Sequence, residues 1–184
     1  MALADYTSII RGELIIGAYK EWLQPNEKVL DVGCGNGVVS SQIAKKFNLK
    51  IYGCDTLNYL TKKISFKLIK EENSLPFKKQ EFNTSMFNDV LHHIPYFIQE
   101  QLIIDALRVS KQILIFEVQP TLIGKVADCI LNKIHNPFMK IPFTFRTVDQ
   151  WKKIFTKHKL KYEIQLVKTP LFYPFSHVAF RIRK

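Results

Sequence analysis

Residues 28–38 read KVLDVGCGNGV. Val29, Leu30 and Val32 bracket Asp31 as the apolar residues of a short buried strand. Gly33, Gly35 and Gly37 follow at alternate positions, where the backbone can turn sharply because no side chain collides. The spacing predicts strand, glycine turn, helix. Bare backbone over such a turn lets a ligand lie against it, and the N–H groups that open the next helix are expected to be free for its polar atoms. The triplet is GxGxG, with Val38 where a dinucleotide fingerprint would carry a displaced last glycine, so the glycines alone do not name the ligand.

A second apolar stretch, Leu49 to Cys54, ends at Asp55. An acidic residue roughly 20 positions beyond the glycines of a nucleotide-binding βαβ unit accepts the hydroxyls of a ribose. Asp55 is assigned that part, and the ligand is expected to carry a ribose.

Helical spacing from about Ile9 to Leu23 predicts an amphipathic lead-in helix weakened by Gly12 and Gly17. Val39, Ile43 and Phe47 form one face of the helix after the glycine turn. A short helix from about Asn58 is expected before a strand over 64–69, and a fourth strand over 82–87. Pro95 suits the first turn of a helix carrying Ile98, Leu102, Ala106 and Val109. Ile113 to Val118 is apolar apart from Glu117, as in a strand covered on both faces. After a looser stretch with a helix around 126–134, Thr147 to Gln150 forms a capping box before the helix of Trp151, Ile154 and Phe155. Strands over 161–168 and 177–182 close the chain. Strands alternating with helices imply a mostly parallel sheet with its ligands at the strand carboxyl ends.

In order, the chain carries VLDVGCGNG (29–37), the strand ending at Asp55, LPF (75–77), NDVLHHI (88–94), ILIFEV (113–118) and FRTVDQWKKIF (145–155). These six segments resemble the class I S-adenosylmethionine-dependent methyltransferase family over nearly the whole chain. The resemblance implies a three-layer Rossmann-like α/β sandwich with a mostly parallel seven-stranded sheet and an antiparallel last strand. It implies one domain over 1–184, with a lead-in helix or lid over 1–24 and the acceptor site over 119–146. It implies S-adenosyl-L-methionine as cofactor, held by Asp31, Gly33, Cys34, Gly35, Gly37, Asp55 and Thr56. The acidic Glu71-Glu72 pair lies about four residues before LPF, where the family binds the adenine amino group. Asn88 and its neighbours are placed on the methionyl amino group, and Arg11 on the methionyl carboxylate. Arg11 also reads as a surface arginine, and Glu71-Glu72 as a solvated acidic pair.

Composition narrows the setting. An apolar content of 47% suits a globular protein, and no apolar run approaches the ~20 residues that span a bilayer. The N-terminus lacks a basic region followed by an apolar one, and the expectation is a cytoplasmic protein without stable membrane insertion. Three cysteines with no CxxC spacing indicate neither a disulfide framework nor a zinc site. A net charge of +11 can mark an anionic partner such as RNA, but it comes from 22 Lys against 5 Arg spread as pairs, which also reads as a solvated surface.

Methyl transfer from a sulfonium is an in-line displacement in which the protein mainly positions two reactants. For a hydroxyl acceptor a base is useful, and His93, just past the fourth strand, is the candidate; a packing role fits it as well. His92 and His93 are expected to point about 100° apart, a poor metal clamp. The chain lacks a [DN]PP[YF] motif after the fourth strand, which in the resembled family grips an exocyclic base amine. Phe138, Phe143, Phe145, Phe172 and Tyr173 cluster in the segments expected to form the acceptor pocket, and they read equally as ordinary core or a dimer face. A small-molecule methyltransferase with an aromatic, quinone-like or lipid-like acceptor is therefore the leading reading. An RNA methyltransferase, or a cofactor-binding protein without turnover, is the alternative, and the oligomeric state is not legible.

Overall fold

A computed structural model of the chain describes residues 3–71, 73–135, 144–170 and 173–184. The elements run α1 (Leu3–Tyr19), β1 (Lys28–Val32), α2 (Val38–Phe47), β2 (Lys50–Asp55), β3 (Ser65–Leu68), β4 (Phe82–Asn88), a 3₁₀ turn (Leu91–His93), α3 (Tyr96–Val109), β5 (Ser110–Val118), α4 (Leu122–His135), α5 (Val148–Lys157), β6 (Lys161–Val167) and β7 (His177–Arg183). The strands form one seven-stranded sheet in the order β3-β2-β1-β4-β5-β7-β6. β1 through β5 pair in parallel, and β7 inserts antiparallel between β5 and β6. The expected Rossmann-like sheet with one antiparallel last strand is the sheet observed.

The apolar residues of the central strands alternate between two layers of helix, as the period of two in a strand requires. Leu30, Phe87, Ile113, Ile115, Phe180 and Ile182 share a cluster with Leu102, Ile103 and Ala106 of α3 and Trp151 and Phe155 of α5. Val29, Met86, Leu114, Phe116 and Ala179 share another with Ile15, Ile16 and Tyr19 of α1 and Val39 and Ile43 of α2. Both faces are covered, which is why β5 is buried along most of its length. No helix among the described residues is long and apolar enough to cross a membrane.

Thr147 caps α5 as expected: its side chain accepts from Gln150 N, and the Gln150 side chain accepts from Thr147 N. Thr147→Ala removes one of the two reciprocal bonds and should cost about 1 kcal/mol. At ~2–4 °C per kcal/mol for a chain of this size, calorimetry should record a melting point lower by a few degrees with the sheet intact.

Three expectations are corrected. No helix forms at Asn58: residues 57–64 run irregularly, and the Asn58 side chain instead accepts from Leu60 N, the local bond that competes with helix. α1 starts at Leu3 and stops at Tyr19, short of Leu23, where a turn bonds Trp22 N and Leu23 N back to the Tyr19 carbonyl. Pro95 stands at the cap of α3 rather than inside its first turn.

Candidate functional site

The strand order reverses between β1 and β4, and a doubly wound sheet opens its crevice at the carboxyl ends of such strands. The glycine turn leaves β1 there. Gly33, Gly35 and Gly37 all have left-handed backbone, with φ of 74°, 53° and 75°. At Gly33 an added Cβ would stand 2.2 Å from a Val90 methyl, so the turn seals against the segment after β4. Around Gly35 nothing lies within 4 Å of where a Cβ would be, so this part of the turn is an open cradle.

The N–H groups expected to be free are largely spent inside the protein. Gly33 N and Cys34 N both donate to the Cys54 carbonyl, Gly37 N to the Cys34 carbonyl and Val38 N to Asn36. Gly35 N donates to Asp55 Oδ2 at 2.9 Å. The other oxygen of Asp55 accepts from Thr56 N at 2.7 Å. The Asp55 carboxylate thus ties the end of β2 to the cradle while keeping lone pairs to spare. The Cys34 sulfur packs beside Gly53, and burial pushes its thiol up to about 12, which keeps it neutral.

Asp31 is 2% exposed. It accepts from Ser40 Oγ at 2.5 Å and from Asn88 Nδ2 at 3.0 Å, and the Asn88 oxygen accepts from Tyr19 O–H at 3.0 Å. Burial raises the Asp31 carboxyl to about 6, with Asp55 adding to the rise against the bonds from Ser40 and Asn88 and the charge of Arg11. Arg11 is half-buried on α1; its charge reaches Asp31 and Asp89, and its Nε is buried with no hydrogen-bond partner among the described residues. Glu71 is exposed and bridges to Ser74, whereas Glu72 lies outside the described residues.

Past β4 a second group of polar side chains converges. Asp89 has left-handed backbone, φ 54°, fixed by its N–H to the Phe116 carbonyl at 2.8 Å. His177, the first residue of β7, lies opposite Val118 and is 1% exposed. Its Nε2 stands 3.1 and 3.3 Å from the two oxygens of Asp89. Burial works to raise the Asp89 carboxyl, but His177, by charge and by hydrogen bond, with Arg11 and His92 behind it, holds it below its ordinary range. Glu117, 2% exposed, accepts from Val90 N, Leu91 N and His92 Nδ1, the last at 2.6 Å.

His92 and His93 do not point apart, because residues 91–93 wind as a tight 3₁₀ turn: their rings touch, with centroids 4.0 Å apart. His92 is also stacked on Phe145 at 4.8 Å, while His93 is half-buried beside it. Asp89, His92 and Glu117 bring ligand-type atoms within 4.8 Å of one another, but the Glu117 oxygens are already taken by two backbone N–H groups and an imidazole.

Val118, Phe145 and Phe175 form a third apolar cluster, with Ala127 and Tyr173 against it, at the carboxyl end of β5. Two of the aromatic residues singled out in the sequence, Phe145 and Tyr173, thus meet; Phe138, Phe143 and Phe172 lie outside the described residues. The sequence reading missed Ser40, Tyr19, Asp89 and His177. Glu117 was visible as the one charge in a buried strand, whereas nothing distinguishes His177 from an ordinary core histidine until the pairing of β5 with β7 is known.

The model of a family described as a methyltransferase domain matches residues 13–160. No curated protein matches significantly. Among solved structures, the YcgJ protein of Bacillus subtilis is similar over 95% of this chain and 97% of its own, at 14% identity and a TM-score of 0.63. Magnesium protoporphyrin IX methyltransferase of Synechocystis, with bound S-adenosylhomocysteine, is 19% identical over 97% and 84%, with a TM-score of 0.65. The 1,6-didemethyltoxoflavin-N1-methyltransferase of Burkholderia thailandensis, with bound 1,6-didemethyltoxoflavin and S-adenosylhomocysteine, is 12% identical over 98% and 80%, with a TM-score of 0.70. The chain belongs to the methyltransferase domain family, and it is an S-adenosylmethionine-dependent methyltransferase of class I.

Proposed function

We propose that this methyltransferase acts on a small, flat, largely apolar acceptor. The observation that carries the reading is the cluster of Val118, Phe145, Tyr173 and Phe175 beside the Asp89 and His92 groups, an aromatic wall next to polar side chains at the site end of the sheet. Pockets for small organic molecules have this make-up. Two similar structures are named for ring-shaped substrates, a porphyrin and a toxoflavin precursor.

For the cofactor, the residues present fit. The open cradle at Gly35 leaves room for a ligand against backbone, Asp55 and Thr56 stand where ribose hydroxyls would be accepted, and the unpartnered Nε of Arg11 suits a carboxylate. Asp31 and Asn88, bonded to each other, would meet the methionyl ammonium and Glu71 the adenine amino group, with Gly33, Cys34 and Gly37 shaping the turn. When bound, S-adenosylmethionine supplies an electrophilic methyl group. The chain's own residues hold, orient and keep water from the two reactants.

The test is a panel of flat aromatic small molecules and purified RNA incubated with the protein and methyl-labelled S-adenosylmethionine. Label is expected in one or more small molecules. The +11 charge favours a second reading, RNA as acceptor. Label in RNA alone, with binding that falls steeply as salt rises, would replace the proposal by that reading.

A further inference from the structure

We propose that His177, held by Asp89, is the catalytic base of the reaction and that the acceptor is accordingly a hydroxyl compound, a phenol or other aromatic alcohol; this rests on the small-molecule reading above. The argument starts from which nitrogen is occupied. Nε2 donates to the Asp89 carboxylate, so in the neutral ring Nδ1 carries the lone pair. Nδ1 is buried and has no hydrogen-bond partner among the described residues. A buried acceptor without a donor is costly, and an acceptor molecule's O–H is a group that would satisfy it.

The ring cannot turn away. It is stacked on Phe116 at 4.4 Å and on Tyr173 at 5.7 Å, with Phe175 at 6.0 Å. Asp89 is itself fixed in left-handed backbone, a conformation that costs energy and persists at sites where it positions something. Asn88, bonded to Asp31 beside the glycine turn, directly precedes Asp89 in the chain, so the histidine is joined to the glycine-turn side of the site through two hydrogen bonds and one peptide link. A carboxylate orienting an imidazole whose far nitrogen is free is the arrangement that activates hydroxyl nucleophiles.

In the step, the acceptor oxygen bonds to the methyl carbon while the carbon–sulfur bond breaks. The electron pair of that bond stays on sulfur, turning the sulfonium into a neutral thioether, and the hydroxyl proton passes to His177 Nδ1. Asp89 steadies the imidazolium until the proton leaves to water. The charged and titratable groups around the pair are His92, Glu117, Arg11, Tyr19, Tyr173 and, one contact farther, Asp31.

Two measurements test this. In the labelled-cofactor assay, phenols are expected to be methylated, and His177→Gln to lower the rate on the order of 10²–10⁴-fold. Asp89→Asn, which acts through the histidine, should lower it less and displace the basic rise of the pH profile. Independently of turnover, para-nitrophenol bound to the wild type with S-adenosylhomocysteine should show the nitrophenolate absorption below the pH at which it ionises in water, and His177→Gln should abolish that absorption. Thermal unfolding and cofactor titration check that each variant is folded; if His177→Gln does not fold, Asp89→Asn carries both tests. Methylation of amines with no phenol accepted, or unchanged rate and absorption in the folded variants, overturns the inference while the small-molecule reading stands. Label in RNA alone overturns both.

Discussion

Asp55→Ala is expected to raise the dissociation constant for S-adenosylmethionine by about two orders of magnitude, roughly 3 kcal/mol, in a protein that still melts cooperatively. The carboxylate stands at the end of β2 with one oxygen on Gly35 N at 2.9 Å and the other on Thr56 N at 2.7 Å. Each oxygen keeps capacity for a further donor, so a ribose can place both hydroxyls on it, and hydrogen bonds to an ionised acceptor are worth about 1.5–3 kcal/mol each. Alanine removes those acceptors. It also frees the Gly35 N–H and lets the cradle, already in left-handed backbone, relax away from the bound shape.

The loss should therefore fall on binding, with little on stability, because Asp55 is only partly buried and its two partners can turn to water. Isothermal titration of wild type and variant decides it. An unchanged constant would show that the hydroxyls of the cofactor are met elsewhere. A variant that fails to fold would show the carboxylate to be a structural tie, and Asp55→Asn, which keeps one acceptor oxygen, would then be expected to recover the fold and only part of the affinity.

Features set by local sequence were legible before the structure: the glycine turn, the strand ending at Asp55, the capping box at Thr147 and the β5 strand whose two buried faces require a continuous apolar run. The misread Asn58 segment shows the limit of periodicity, since one Asx-type bond to Leu60 N outweighs a weak helical pattern over so few residues. Readings that depended on long-range pairing were out of reach. His177 meets Asp89 across 88 residues, and does so only because β7 runs antiparallel beside β5 with Val118 opposite His177. The same holds for His92, whose bond to Glu117 depends on where β5 ends relative to the 3₁₀ turn. Proximity to the end of β4 in sequence singles out His93, whereas the base proposed above, His177, is 88 residues from Asp89 and has no signal in sequence.

Asp31→Asn is expected to make the folded protein more stable at neutral pH while weakening its hold on the cofactor. Asp31 is buried and its carboxyl is raised to about 6 from an ordinary 3.8, a difference worth about 3 kcal/mol. The sign follows from proton counting: between about pH 4 and 6 the folded protein keeps a proton that the unfolded chain releases, so stability is lost as pH rises through that window and stays lost above it. An amide carries no such penalty. It can still accept from Ser40, and by turning over, Asn88 can present its oxygen to the new amide while its nitrogen donates to Tyr19. Chemical denaturation should therefore show Asp31→Asn stabilised by about 1–3 kcal/mol at pH 7.5, with the gap closing towards pH 4. The other shifted carboxyls, Glu81, Glu100 and Asp89, are lowered in both proteins and cancel in the difference. A folded protein tolerates this cost where the buried charge is needed by a ligand. A cationic methionyl ammonium beside Asp31 would restore its ionised form, so wild-type affinity should fall as pH drops below about 6 and the variant's should be weaker and flat over that range. If Asp31→Asn is destabilised equally at pH 7.5 and pH 4, Arg11 and the two hydrogen bonds already offset the charge inside the free protein, and the ammonium assignment loses its support.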